Sequence, residues 1–325
     1  MTRRLLAATT LALMAALPAA AQEFTLDARY TDADRDLVAD IPTDPAQLAD
    51  PDTLIFAYTP VEDPAVYVDV WAEFLDHLSE TTGKPVEFFP VQSNAAQSEA
   101  LRAGRLHVAG VNTGGNPIAV ACARFRPFAM MAREDDSFGY EMEIITHPDS
   151  GIAAPEDLSG RQLAFTSETS NSGFKAPQAL LESEFGLLAN EDYTPAFSGA
   201  HDNSILGVAN KDYDAAAVAN SVLKRMIARD AVDEDALVTI YKSATFPTTG
   251  YGVAHNLTPE LQEQIQEAFF TFDWEGTPLQ AEFEAQRETK FVPITFKDDW
   301  SVIRQIDAAL GVEARAHAVR LAEAV

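Results

Sequence analysis

Apolar positions along the chain alternate between short unbroken runs and helical spacing. Leu54-Ile55-Phe56-Ala57-Tyr58 is such a run and predicts a strand buried on both faces. A loop through Thr59-Pro60-Val61-Glu62 follows. Asp63-Pro64 then offers a capping acid and a proline at a first helical position, and Val66, Val70, Phe74, Leu75 and Leu78 share one helical face. Gly83-Lys84-Pro85 stops that helix, and residues 86–91 predict the next strand. A helix over 97–103, a turn at Gly104 and a strand over 108–111 complete the first set. The pattern returns with a strand at 163–165, a helix at 177–185, a helix through 205–208 and strands at 213–218 and 238–241. Strands alternating with helices imply parallel-type sheets with covered faces, whose strand ends feed ligand-binding loops at one edge.

Two α/β units are therefore expected, joined by the extended segments 141–146 and 250–255 acting as crossovers. Residues 22–52, rich in Asp, Pro and Ala without periodicity, read as a leader over the surface. The helices through Ile265, Phe269 and Phe270 and over 300–310 should pack back on the first unit.

The N-terminus changes the compartment. Arg3 and Arg4 precede an apolar stretch from Leu5 to Leu17, and Pro18-Ala19-Ala20-Ala21 supplies small residues for cleavage, so residues 1–21 read as a secretory signal cut after Ala21. That stretch falls short of the ~20 residues of a membrane span. No cysteine lies near the cut, so no lipid or other stable membrane anchor is expected. Cys122 is the single cysteine, which excludes an internal disulfide, and in Ala119-Val120-Ala121-Cys122-Ala123 it reads as a small buried hydrophobe.

The net charge of −27 repels nucleic acid and anionic membranes. It also repels an anionic ligand at long range, so any anion must be held locally by uncharged donors and helix termini. Solubility of an exported protein accounts for the acidity equally well. Metal-ligand spacings of the His-x-x-x-His or Cys-x-x-Cys type and a Gly-x-Ser-x-Gly elbow are missing, so no catalytic set, metal or cofactor is expected.

The chemistry-bearing stretch is the junction after 163–165, where Ser170-Asn171-Ser172-Gly173 precedes a helix. Small hydroxylic residues there can cradle a tetrahedral anion on unpaired backbone N–H groups. They can equally cap the helix with no ligand present.

In this order the elements resemble the periplasmic phosphonate-binding proteins of ABC importers over roughly residues 53–310. Four stretches carry the resemblance: Phe56 to Glu62; the helix-Gly-strand step from Glu99 to Ala109; Asp149-Ser150-Gly151-Ile152 with Glu156 to Phe165 leading into Ser170-Asn171-Ser172-Gly173-Phe174 and Pro177; and Ser198-Gly199-Ala200-His201-Asp202 with Val208 to Lys211 and Asp214-Ala215-Ala216. The third is similar to the family's Ser-Thr-Ser-Gly-Phe loop and is the most specific. The resemblance implies a two-lobed type II solute-binding fold of class α/β, with a two-segment hinge, lobe 1 over 53–145 and 251–325, and lobe 2 over 146–250. It also implies a phosphonate, phosphite, phosphate or phosphate ester as ligand, and an ABC permease and ATPase as partners. A receptor for another small anion, such as a sulfonate or carboxylate, is the alternative, followed by a periplasmic enzyme or interaction protein on the same fold.

Carried over residue by residue, Ser170, Asn171 and Ser172 would hold the oxyanion and Gly173 would permit close backbone approach. Thr113 and Gly114 would add donors from the other lobe, Tyr58 would wall the cleft, His201 would donate to an oxygen and Asp202 would suit a ligand cation. Lys175 is expected to face solvent. The sequence departs from the family at Asn171, Asn94, Asn112 to Pro117 and Asp202, and Asn94, Thr113 and Asp202 are expected to decide which substituent the ligand carries.

Overall fold

Two sheets, one per lobe, organise a computed structural model that describes residues 24–312. The expected signal segment lies outside these residues. In the first lobe, β1 (Leu54–Tyr58) leads through α1 (Tyr67–Val70) and α2 (Ala72–Thr82) to β2 (Val86–Phe88), and α3 (Asn94–Arg102) leads to β3 (Val108–Val111). α4 (Asn116–Cys122) and β4 (Phe125–Ala132) follow. The second lobe contains β5 (Tyr140–Thr146), β6 (Gln162–Phe165), α5 (Ala176–Phe185), β7 (Thr194–Phe197), α6 (His201–Ala209), β8 (Ala215–Ala219), α7 (Asn220–Ala228) and β9 (Val238–Phe246). The chain then returns through β10 (Gly250–Ala254), α8 (Pro259–Thr271), α9 (Pro278–Phe283), β11 (Lys290–Pro293), α10 (Phe296–Asp299) and α11 (Ser301–Ala309).

The first sheet has six strands in the order β11-β4-β10-β3-β1-β2, and the second has five in the order β7-β6-β8-β5-β9. β1 is parallel to both its neighbours, as is β6. The inner strands read as continuous apolar runs because both faces are covered: every residue of β3, β8 and β10 is buried. Each parallel strand ends in a loop at the edge facing the other lobe, which is where a ligand cleft belongs.

Three expectations need correcting. The segments 141–146 and 250–255 are not free crossovers. Met142 to Thr146 pair with β8 inside the second sheet, and β10 lies between β3 and β4 inside the first. An extended apolar segment satisfies its backbone best within a ladder, so the crossings fall instead on the polar residues 133–139 and on Pro247-Thr248-Thr249. The second sheet accordingly takes in residues 140–146, of which 140–145 were expected in the first lobe.

The leader is no loose cover. Val38 and Ala39 are buried, and Phe24, Leu26 and Leu37 pack on the core. Asp27 N donates to Ala121 O and Ala49 N to Asn256 O, at 2.8 and 2.7 Å. Finally, α8 lies against α2 as expected, but α11 packs against α5 of the second lobe. Trp300, just before α11, donates from Nε1 to Thr113 O at 3.0 Å. The C-terminal helix therefore ties both lobes together.

Candidate functional site

The lobes close on a cavity of about 60 Å³ lined from both sides. Its second-lobe wall is built where β6 ends. Ser170 stands there in extended conformation (φ −72°, ψ 132°), and its Oγ accepts from Gly173 N at 3.0 Å, capping a π-helical turn, Asn171–Lys175, that runs directly into α5. The first N–H groups of that turn lack an intrahelical partner and carry the positive end of the helix dipole. Ser172 is buried and its hydroxyl bonds to no other described residue. Asn171 Nδ2 donates to Tyr140 Oη at 3.2 Å, while Asn171 Oδ1 is buried without a partner. Turning this amide over lets the Tyr140 hydroxyl donate to Oδ1 and frees the NH₂ group for a ligand oxygen.

His201 opens α6 on the same wall. Its Nδ1 accepts from Ala219 N at 3.1 Å, which places the proton on Nε2, 3.5 Å from Ser170 Oγ. Burial pulls the imidazole pKa down to about 4, against the opposing pull of Glu62 and with the help of Arg225. It is therefore a neutral N–H donor at any ordinary pH.

The first-lobe wall is more apolar. Tyr58, Val61, Met131, Tyr251 and Phe283 line it, and Thr248 and Thr249 of the second crossing close the side. Burial pushes the Tyr58 hydroxyl up to about 12, so it stays protonated. Thr248 Oγ1 is buried without a partner. Asn171 Oδ1 and Thr248 Oγ1 are thus buried on this lining without a partner among the described residues, an arrangement that folded proteins avoid unless a ligand or water completes it.

Six of the expected residues line the cavity: Tyr58, Thr113, Ser170, Asn171, Ser172 and His201. Three do not. Gly114 does its work between the lobes: a Cβ there would lie 2.4 Å from Thr169 O and 2.6 Å from Asn171 N. Gly173 gives room to Thr166, whose Oγ1 would sit 2.0 Å from an added Cβ, so the approach it permits is to its own lobe and not to a ligand. Asp202 accepts from Asp63 N at 3.2 Å across the lobes and does not reach the cavity.

The hydroxyl of Thr113, though on the lining, is committed to the carbonyls of Pro247 and Thr248 at 2.8 and 3.1 Å. Asn94 bridges Thr59 and Ser167 outside the cavity. Lys175, expected in solvent, is fully buried, with Nζ 2.7 Å from Asp307 Oδ1 and 2.8 Å from Gly114 O. It follows the apolar face of the helix inward because a partner carboxylate waits there on α11.

Sequence reasoning missed Arg225 and Glu288, both on the lining. Arg225 Nη2 lies 3.1 Å from Glu62 Oε2 and its Nε 3.2 Å from Glu282 Oε1. Arg229 bridges the same two carboxylates, and Tyr67 donates to Glu62 at 2.6 Å. Burial works against the Glu62 charge, yet Arg225, Tyr67 and Arg229 together hold its pKa below the usual range. Two guanidiniums and two carboxylates sum to zero, so this cluster joins α7 to the first lobe without charging the cavity. A signal did exist for Arg225, which shares a helical face with Val222 and Met226. Nothing marked Glu288, which sits in the charged run Arg287-Glu288-Thr289-Lys290.

A cavity between two α/β lobes that the chain crosses twice, with uncharged donors gathered on one wall, defines a binding protein of the two-lobed solute-receptor class. Residues 56–300 match the family described as ABC transporter, phosphonate, periplasmic substrate-binding protein, and the chain belongs to that family. It is 26% identical over 268 residues to the phosphate-import protein PhnD of Mycolicibacterium smegmatis, covering 79% of this chain and 83% of that protein. Among solved structures, the binding component of an ABC phosphonate transporter from Pseudomonas aeruginosa superposes with a TM-score of 0.72 at 21% identity, covering 84% of this chain and 95% of that one. PhnD1 of Prochlorococcus marinus, solved with methylphosphonate, superposes with a TM-score of 0.71 at 16% identity, covering 81% and 100%. The family comprises substrate-binding transport proteins of the periplasm. No helix among the described residues is long and apolar enough to cross a membrane.

Proposed function

We propose that the protein is exported with cleavage after Ala21, captures a small phosphorus oxyanion bearing a short uncharged substituent, and delivers it to an ABC permease and its ATPase. The observation that carries the ligand class is the convergence of uncharged donors on one wall: the Ser172 hydroxyl, the Asn171 amide, the N–H groups of the first helical turn and the Nε2–H of His201. Donors placed before binding, with only the Asn171 amide to turn over, need little reorganisation to meet an oxyanion.

Size narrows the class. One water needs about 10–15 Å³ on this measure, so about 60 Å³ admits a handful of heavy atoms. Methylphosphonate and phosphite fit this, while sugar phosphates do not. The apolar opposite wall of Tyr58, Met131, Tyr251 and Phe283 suits a P–C or P–H substituent. A fourth phosphate oxygen would have to shed its hydration against those rings.

Titration calorimetry with methylphosphonate, phosphite, phosphate, glycerol phosphate and methanesulfonate tests the assignment. Heat with methylphosphonate or phosphite, and weaker binding of the rest, is expected. Preference for methanesulfonate, or heat with none of the five, overturns it.

A further inference from the structure

Glu288 is the unaccounted charge of the cavity. It lies between the turn Glu284–Gln286 and β11, is only 6% exposed, and belongs to the lining. Among the described residues its carboxyl makes no hydrogen bond and no ion pair. Of the lining's other ionisable groups, Arg225 is neutralised by Glu62 and Glu282, His201 is neutral, and Tyr58 and Tyr251 are protonated. Glu288 faces Arg225 of α7, Arg133 of the first crossing, Tyr58 of β1 and Tyr251 of β10. Arg133 is held by Gln286 O and Gly139 O at 3.1 and 3.2 Å, and Arg225 by its two carboxylates, so neither guanidinium closes on Glu288.

A carboxylate in this place would stand unpaired and buried, and an anion entering the same cavity would add like-charge repulsion. Burial already raises the Glu288 carboxyl to about 7, with Arg225 and Arg133 pulling the other way. Each negative charge brought beside it raises it further.

We propose that Glu288 faces the bound oxyanion as a neutral acid, so that capture of the ligand is coupled to uptake of one proton at this carboxyl. This rests on the reading of the cavity as a phosphorus-oxyanion site, and it makes the ligand class one without a cationic substituent. The proton comes from solvent as the lobes close and returns when they open. An ammonium-bearing ligand would do the opposite, keeping Glu288 ionised and expelling its proton.

Affinity for methylphosphonate is measured by calorimetry from pH 6 to pH 8.5 for wild type and Glu288→Gln, whose amide is a neutral donor of the same shape. The ratio of variant to wild-type association constants should rise at least tenfold over that range, since a carboxyl of pKa near 7 must be protonated at increasing cost in wild type alone. A ratio flat within twofold, including a uniform loss, overturns the proposal.

A second measurement needs no variant. Wild-type titrations at pH 8 in buffers of different ionisation enthalpy give the net proton uptake, and the ³¹P shift of bound methylphosphonate gives the part carried by the ligand itself. Close to one proton beyond the ligand's own is expected, and none, or a release with aminomethylphosphonate bound more tightly than methylphosphonate, refutes the idea. Failure of wild type to bind any phosphorus oxyanion would strike the proposed function instead.

Discussion

Gly114→Ala tests whether lobe closure is what makes the site. Gly114 carries no left-handed φ, so alanine costs no backbone strain there. Its Cβ would meet Thr169 O at 2.4 Å, Asn171 N at 2.6 Å and the Ser170 carbonyl carbon at 3.0 Å. All three are backbone atoms of the oxyanion loop, so no side chain can swing away. Relief requires the lobes to part by most of an ångström, which also lengthens the 2.8 Å bond from Lys175 Nζ to Gly114 O. Overpacking of one methyl group against fixed neighbours costs about 1–3 kcal/mol. The clash exists only when the lobes meet, so the cost falls on the closed state and weakens affinity by roughly 5- to 150-fold. Calorimetry with methylphosphonate reads the affinity, and the melting temperature without ligand checks the fold. An unchanged affinity with an unchanged melting temperature would show that these two loops need not touch in the bound state.

Further outcomes follow from the same geometry. Ser172→Ala removes a hydroxyl directed at a charged ligand, worth about 1.5–3 kcal/mol, and calorimetry should show binding weakened by roughly ten- to a hundredfold; equal affinity would remove Ser172 from the site. Asp307→Asn leaves the Lys175 ammonium buried beside a neutral amide, and breaking such a pair costs about 3–5 kcal/mol, read as a lower denaturant midpoint, whereas a midpoint unmoved would show that the pair opens to solvent. His201 has its folded pKa depressed from 6.5 to about 4, so the folded state binds fewer protons. Stability therefore falls as pH drops below about 6.5 and continues to fall until about 4, by roughly 3 kcal/mol for this group. Thermal melts from pH 7.5 to 4.5 should show this loss, smaller in His201→Asn, and identical slopes in the two proteins would contradict it.

Legibility from sequence followed chemistry at strand ends. Ser170, Asn171, Ser172 and His201 could be placed because their stretches resemble the family's cleft motifs; a strand followed by a hydroxyl-rich helix start is by itself as good a helix cap as an anion cradle. The position of such a junction says which wall a residue stands on, but not which way its neighbours turn. That is why Gly114, Gly173 and Asp202, correctly put near the cleft, serve contacts within and between the lobes. The crossings were misread because Tyr140–Thr146 and Gly250–Ala254 are extended either way, and only their pairing partners tell a strand from a connector. Arg225 was passed over and Lys175 was put in solvent for a common reason. A charged residue is assigned to solvent unless its partner is known, and Asp307, Glu62 and Glu282 lie 132, 163 and 57 positions away along the chain from Lys175, Arg225 and Arg225 respectively.

Those buried charges also explain how a chain of net charge −27 can hold an anion. A cavity dressed with free arginines would overcome the field, but would take any anion and release it slowly. Here Arg225, the arginine on the lining, is already matched by Glu62 and Glu282, so the attraction comes from dipoles: hydroxyls, an amide, one imidazole N–H and the start of a helix. Dipoles act over a few ångströms, and they act together only when α11, the Glu62 to Arg229 cluster and the Gly114 contact have brought the lobes together. The long-range field then has a use of its own. It holds off anions at large, while a small oxyanion that reaches the closing cleft is retained by short-range contacts that ionic strength screens little. Affinity should consequently change by less than about threefold between 20 and 300 mM salt, whereas a steep loss with salt would mean that net charge rather than placed donors holds the ligand.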